Sequence, residues 1–269
     1  MLIGAMNDPR HDLYKELAWI ASVGAAFVDL TLEPPLAASW KVDPQHIRAT
    51  LKHHNLGVVG HTPYYLPLAS AFEPLRLAAV DELRQCLRVF AQIGAKWMNV
   101  HPDRNVPMHK RSFWIERNIQ SLSELLPEAK SLGVGIMLEN LPYSYNTVAQ
   151  LDEILGVLPE LGFHLDIGHA YLYTRNDTAD ELIRHYADRL RHVHLHDNKG
   201  GTADLHLPLG TGVVRYHQHL RTLREVGYDG TITLEVFTPD RTHFRTSMEK
   251  LRHGWEHPED RDEMEYVDW

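Results

Sequence analysis

At 269 residues the chain is long for an ordinary domain but close to the ~250 residues of one α/β barrel, and its 43% apolar content allows one large buried core. A formal charge of −9 argues against a broad nucleic-acid surface, because phosphate contacts need Lys and Arg. One cysteine, Cys86, excludes an intrachain disulfide. With no basic-then-apolar start and no apolar run near the ~18 residues of a membrane span, the expectation is a cytoplasmic chain.

Short apolar runs then alternate with longer amphipathic stretches. LIGAM (2–6) is followed by a helical pattern at 10–23, and AFVDLTL (26–32) by one at 44–54. After LGVVGH (56–61) comes 74–93, where Leu77, Val80, Leu83, Leu87 and Phe90 recur at three- and four-residue steps. KWMNVH (96–101) leads to 111–132, GVGIMLEN (133–140) to 147–158, and GFHLDIGH (162–169) to 177–189. LRHVHLHD (190–197) leads to 214–226, and GTITLEVF (230–237) to 242–252. The short runs are rich in Val, Ile and Leu, as strands buried on both faces of a parallel sheet must be. Gly24, Gly57, Gly94, Gly133 and Gly227 follow periodic residues, where a left-handed helix cap is wanted. Eight strands alternating with eight helices predict an α/β fold, a single (β/α)₈ TIM barrel over 1–252. A doubly wound open sheet is the alternative, but no Gly-rich phosphate turn follows the first strand. The acidic tail, 253–269, lacks periodicity and is expected to be irregular or to pack on a partner.

In such a barrel the catalytic groups project from the carboxyl ends of several strands. Here the third run ends at His61, the fourth at His101 and the fifth at Glu139. The sixth carries Asp166 and His169, the seventh carries His194 and leads to Asp204 and His206, and the eighth ends at Glu235. Any one of these has an ordinary structural use, such as a core histidine or a helix-capping Asp. Together they form a set that would repel or stay unpaired without a cation, and imidazole with carboxylate suits zinc. His192, His194 and His196 alternate along one strand and share a side, so they cannot all serve one ion. Position favours His194 as the ligand, with His192 in deeper packing and His196 at the edge of the site. Of the nineteen histidines, His11, His46, His53, His54, His217, His219, His253 and His257 read as surface residues.

The segments GHTPYYLPLAS (60–70), NVHPD (99–103), MLENLP (137–142), HLDIGHAY (164–171), HVHLHDNKGGTADLHLPLGTG (192–212) and ITLEVF (232–237) resemble the xylose isomerase-like barrels over about residues 1–250. That superfamily joins endonuclease IV (AP endonuclease family 2) to sugar isomerases and epimerases. The resemblance to endonuclease IV implies up to three zinc ions. His61 and His101 would hold one with Glu139, which bridges to a second on Asp166, His194 and Glu235, while His169, Asp204 and His206 would hold the third. The resemblance to the isomerase and epimerase branch implies a single manganese or magnesium on Glu139, Asp166, His194 and Glu235, with the two glutamates moving the substrate proton. Two loops depart from endonuclease IV. NLPYSYNT (140–147) stands where that family has Gly-Gln-Gly, and EPPLAASW (33–40) replaces a polar, basic loop.

Two activities follow from this reading. The first is a metal-dependent hydrolase of a phosphate ester or phosphodiester, with Glu139, Asp166 and Glu235 as catalytic carboxylates. The second is a sugar or sugar-phosphate isomerase or epimerase. Tyr64, Tyr65, His196 and Lys199 are the candidate substrate contacts. The expected partner is a small phosphorylated or sugar molecule, with DNA disfavoured by the two replaced loops and no membrane partner. A barrel serving only as a binding module is the third reading, and the intact ligand set speaks against it.

Overall fold

A computed structural model describes residues 1–104, 106–238 and 241–260. Of the tail expected to be irregular from 253 to 269, residues 253–256 are instead the last turn of the helix Thr242–Glu256, and those from 261 onward fall outside the described residues. The strands are β1 Leu2–Met6, β2 Phe27–Thr31, β3 Gly57–His61, β4 Trp97–Val100, β5 Gly135–Glu139, β6 Gly162–Asp166, β7 Leu190–Leu195 and β8 Thr231–Leu234. The helices between them are α1 Leu13–Ser22, α2 Pro44–His54, α3 Glu73–Ile93, α4 Arg111–Leu132, α5 Val148–Leu155, α6 Ala179–His185, α7 Tyr216–Glu225 and α8 Thr242–Glu256. The strands close in chain order, β1 to β8, into the expected α/β barrel. Each pairing given by register is parallel: Leu30 stands opposite Gly60, Leu138 opposite Phe163 and His194 opposite Thr233.

Local signals fix the helix ends. The Asp12 side chain accepts the Lys15 N–H at the start of α1, and Asp43 accepts the Gln45 and His46 N–H groups at the start of α2. The α2 helix ends where expected, but its cap differs. Its left-handed cap is Asn55, with φ of 54°, and Gly57 instead opens β3, where an added Cβ would lie 3.2 Å from the Phe27 Cβ. Asn tolerates the left-handed region through its short polar side chain, so Asn55 rather than Gly57 provides the cap.

The chain divides into two compact units. One comprises residues 4–139 and 149–164, the other 1–3, 140–148 and 165–269. Within the first, Phe27, Val59 and Met137 pack together with Ala26 and Trp97 against them. Within the second, strand alternation separates two kinds of buried residue along β7. Val193 and Leu195 face one way, and His192 and His194 face the other, all of them fully buried. His192 is satisfied by the Thr231 and Thr233 hydroxyls at 2.7 and 3.0 Å, the deeper packing role expected of it. Among the described residues no helix is long and apolar enough to cross a membrane.

Candidate metal centre

In the first unit three strands deliver one ligand cluster. His61 is the last residue of β3, His101 directly follows β4, and Glu139 ends β5; all three are buried. One potential ligand atom from each lies within 4.8 Å of the others. His101 Nε2 is 2.9 Å from Glu139 Oε2, and the His61 and His101 rings are 4.9 Å apart. The surroundings orient these groups. Asn99 Nδ2 donates to Glu139 Oε2 at 2.5 Å, His164 Nδ1 approaches the same oxygen at 3.3 Å, and Asp29 Oδ1 lies 3.7 Å from His61 Nδ1. Asn99, Asp29 and His164 were not singled out from the sequence. Asn99 had a signal, because strand alternation puts it on the same side as His101, two residues on.

The second unit holds a larger cluster. Asp166 ends β6 and is fully buried. Its backbone is clamped by Asn140, which accepts the Asp166 N–H at 2.7 Å and donates to its carbonyl at 2.9 Å. The carboxylate Oδ1 accepts the His169 N–H at 2.8 Å and lies 3.2 Å from His196 Nε2. Oδ2 is buried with no hydrogen bond, 3.7 Å from His169 Nδ1 and 3.8 Å from His194 Nδ1. Glu235, just after β8, reaches His194 Nδ1 at 3.2 Å and His206 Nδ1 at 3.5 Å. His196, expected at the edge of the site, lies inside the cluster, stacked on His206 with centroids 4.2 Å apart.

Two histidines of this cluster are set as metal-ligating histidines usually are. His169 Nδ1 lies 2.9 Å from the Asn140 carbonyl, and His206 Nδ1 lies 3.2 Å from the Glu235 carbonyl. A carbonyl only accepts, so each Nδ1 is the donor and each Nε2 is the nitrogen left to face the site. Both Nε2 atoms converge on Asp204 Oδ2, at 3.1 and 3.3 Å. Ligand atoms around a tetrahedral ion with ~2.0–2.1 Å bonds stand ~3.3 Å apart, and the two separations from Asp204 Oδ2 match the spacing that a bound metal ion requires. Electrostatics agree. Burial pushes the Asp204 carboxyl up, but hydrogen bonds from His169 and His206 outweigh it and hold it well below the usual range. Burial also opposes ionised Glu235, and the charges of His206 and His194 win. His206 is driven up to about 9: burial disfavours its charge, and Glu235 and Asp204 overcome that.

The remaining sequence candidates lie on loops. Tyr64 and Tyr65 are exposed beyond β3 and meet edge to face at 5.2 Å; burial of its hydroxyl and a hydrogen bond with Glu33 push Tyr65 up to about 12. Lys199 is exposed in the segment after β7.

His219 corrects the sequence reading that placed it on the surface. It is fully buried on α7, with Nδ1 2.7 Å from Asp180 Oδ1 and Nε2 2.7 Å from the Tyr171 hydroxyl. That hydroxyl also accepts the Arg215 N–H at 3.0 Å. Burial pushes Asp180 up, but hydrogen bonds from His219 and Gln218 bring it down to about 2. The folded carboxyl is thus more acidic than the unfolded one. Its contribution to stability is present above about pH 4 and is lost as pH falls toward 2. In urea unfolding, the midpoint difference between wild type and Asp180→Asn is expected to shrink across that window. A difference that stays constant from pH 5 to pH 2 counts against this role.

Comparison with known proteins agrees with the geometry. The sequence pattern of the family described as xylose isomerase-like TIM barrel matches residues 17–254. A probable endonuclease 4 of Aquifex aeolicus is 26% identical, over 88% of this chain and 92% of its own length. Fructoselysine 3-epimerase of Escherichia coli O157:H7 is 24% identical, over 77% of this chain and 80% of its own. The crystal structure of a D-tagatose 3-epimerase-like protein superposes with a TM-score of 0.85 at 24% identity, covering 96% of this chain and 98% of that one, a likeness of fold.

Proposed function

The chain belongs to the xylose isomerase-like TIM barrel family, and we propose that within it the protein is a hydrolase of a phosphate ester or phosphodiester that works with more than one divalent ion, zinc by the chemistry of its ligands. The observation that carries this reading is that each unit brings a donor set of its own. His61, His101 and Glu139 form one, and Asp166, His169, His194, Asp204, His206 and Glu235 form the other. A single-ion enzyme needs only part of this set and leaves several buried, mutually oriented histidines without a metal to hold.

Bound divalent ions supply positive charge that acidifies water and stabilises the oxygens of an in-line displacement at phosphorus. The protein groups have separate tasks. Asp166 Oδ2, buried without a hydrogen bond, is the oxygen left to face the reacting groups, while Oδ1 fixes its direction through the His169 N–H. Glu235 and Glu139 complete the catalytic carboxylates, Glu235 held ionised by His206 and His194. Exposed Tyr64 and Tyr65 offer faces on which a ring of the substrate stacks, and the exposed Lys199 amine meets its phosphate. A net charge of −9 favours a small phosphorylated molecule over DNA.

A second reading is favoured by the likeness to fructoselysine 3-epimerase: a sugar or sugar-phosphate epimerase with one manganese or magnesium. In it Glu139 and Glu235 take and return the proton α to a carbonyl. One experiment separates the two. Elemental analysis of protein purified without chelator is expected to give more than one zinc per chain, and that protein is expected to cleave bis(p-nitrophenyl) phosphate. One manganese or magnesium per chain, with substrate hydrogen exchanging in deuterated water over a sugar panel, transfers the conclusion to the epimerase.

A further inference from the structure

The segment between β7 and α7 carries Asp204 and His206 without helix or strand to support it. Residues 199–204 of this segment and Gly210, Thr211, Gly212 and Val213 are all solvent-facing or nearly so. Asp204 nevertheless meets His169 at 3.1 Å, and His206 meets Asp204 at 3.3 Å. Something must order the segment before any ion arrives, because fixing a backbone residue costs on the order of 1–2 kcal/mol.

The ordering group is Asp197, a fully buried carboxylate that lies outside the ligand cluster. Its Oδ2 accepts three successive backbone N–H groups, from Gly210 at 2.9 Å, Thr211 at 3.0 Å and Gly212 at 2.9 Å. Its Oδ1 accepts the Asn198 N–H at 2.9 Å and the Val214 N–H at 3.0 Å. The Asp197 backbone exchanges two further hydrogen bonds with Leu207, next to His206, at 2.9 and 2.7 Å. Successive N–H groups converging on one point form a concavity that takes an anion. Here the protein's own carboxylate fills it, so the glycine-rich stretch LPLGTG is closed to a substrate phosphate. Gly212 is part of the design: a Cβ there would fall 2.1 Å from the Asn198 carbonyl oxygen and 2.4 Å from Asp197 Oδ1.

We propose that Asp197 is the positioning residue of this segment, holding Asp204 against His169 and His206 against Asp204 in the absence of metal. The zinc arm of its test rests on the metal-centre reading above; the exchange arm does not. Asp197→Asn keeps the shape but turns one acceptor into a donor. Whichever way the amide lies, it sets N–H against either the pair or the triplet of backbone N–H groups.

The test uses the full chain freed of metal and reads backbone hydrogen exchange. In wild type the amides of Gly210, Thr211 and Gly212 are expected to exchange slowly although their residues are exposed. In Asp197→Asn they are expected to lose that protection. Zinc titration of the same variant is expected to show ~10–100-fold weaker binding at Asp204, His206 and His169, the loss typical when a group that orients a ligand is removed. Asp204→Ala is the reference, because it is expected to weaken zinc binding while leaving the three amides protected. Fast exchange in wild type overturns the proposal even where Asp197→Asn fails to fold. So does a variant that loses protection yet binds zinc as wild type does. Wild type that takes up no zinc overturns the metal-centre reading instead, and slow exchange then still upholds the anchor.

Discussion

Asp166→Asn is expected to lower metal-dependent turnover by roughly 10²–10⁴-fold, the range over which a positioned acid–base group contributes. The side chain is fully buried at the end of β6, and its two oxygens have different duties. Oδ1 is engaged by the His169 N–H and by His196 Nε2, whereas Oδ2 stands between the ring nitrogens of His169 and His194 without a hydrogen bond. The amide keeps the volume and the Asn140 clamp on the backbone but removes the negative charge that a cation needs there. The fold should therefore persist, with an unchanged circular dichroism spectrum, while zinc content per chain falls together with turnover. Both the hydrolase and the epimerase readings require this result, because both place an ion on Asp166. A variant that keeps its metal and its rate removes Asp166 from the centre altogether.

Gly168→Ala is expected to lower stability by about 1–3 kcal/mol, the usual cost of overpacking, and the melting temperature by roughly 2–12 °C. An added Cβ would lie 2.1 Å from His196 Cε1 and 2.3 Å from its Nε2. The imidazole is fully buried and stacked on His206, so it has no solvent to swing into. Relief must come by moving the ring off Asp166 Oδ1 or the backbone off Asp166 itself. Turnover is therefore expected to fall along with stability, which separates Gly168 from an ordinary packing glycine. Differential scanning calorimetry and the rate against bis(p-nitrophenyl) phosphate read the two effects. An unchanged melting temperature would mean that the turn after β6 relaxes more easily than its contacts allow.

The pairing of turn and ring illustrates where sequence reading ends. The alternation of short Val/Ile/Leu runs with amphipathic stretches was enough for the eight-stranded barrel, because a strand buried on both faces and a helix buried on one leave different periods. The nine ligand candidates were legible for a related reason: they lie in or after the later halves of the runs, and a parallel barrel puts function at those ends. Residue-level use was not legible. Asn140, Asn99 and Asp197 gain their roles from hydrogen bonds to partners up to 40 residues away, and no periodicity marks such a partner. His219 follows an apolar-poor stretch that reads as surface, yet it is buried and hydrogen-bonded to Asp180, 39 residues earlier. Which imidazole nitrogen faces the site was likewise decided by the carbonyls of Asn140 and Glu235. The fold and the donor types can be read along the chain, because burial patterns and strand ends are local properties. The aim of those donors cannot, because it depends on hydrogen bonds that close once distant segments are packed.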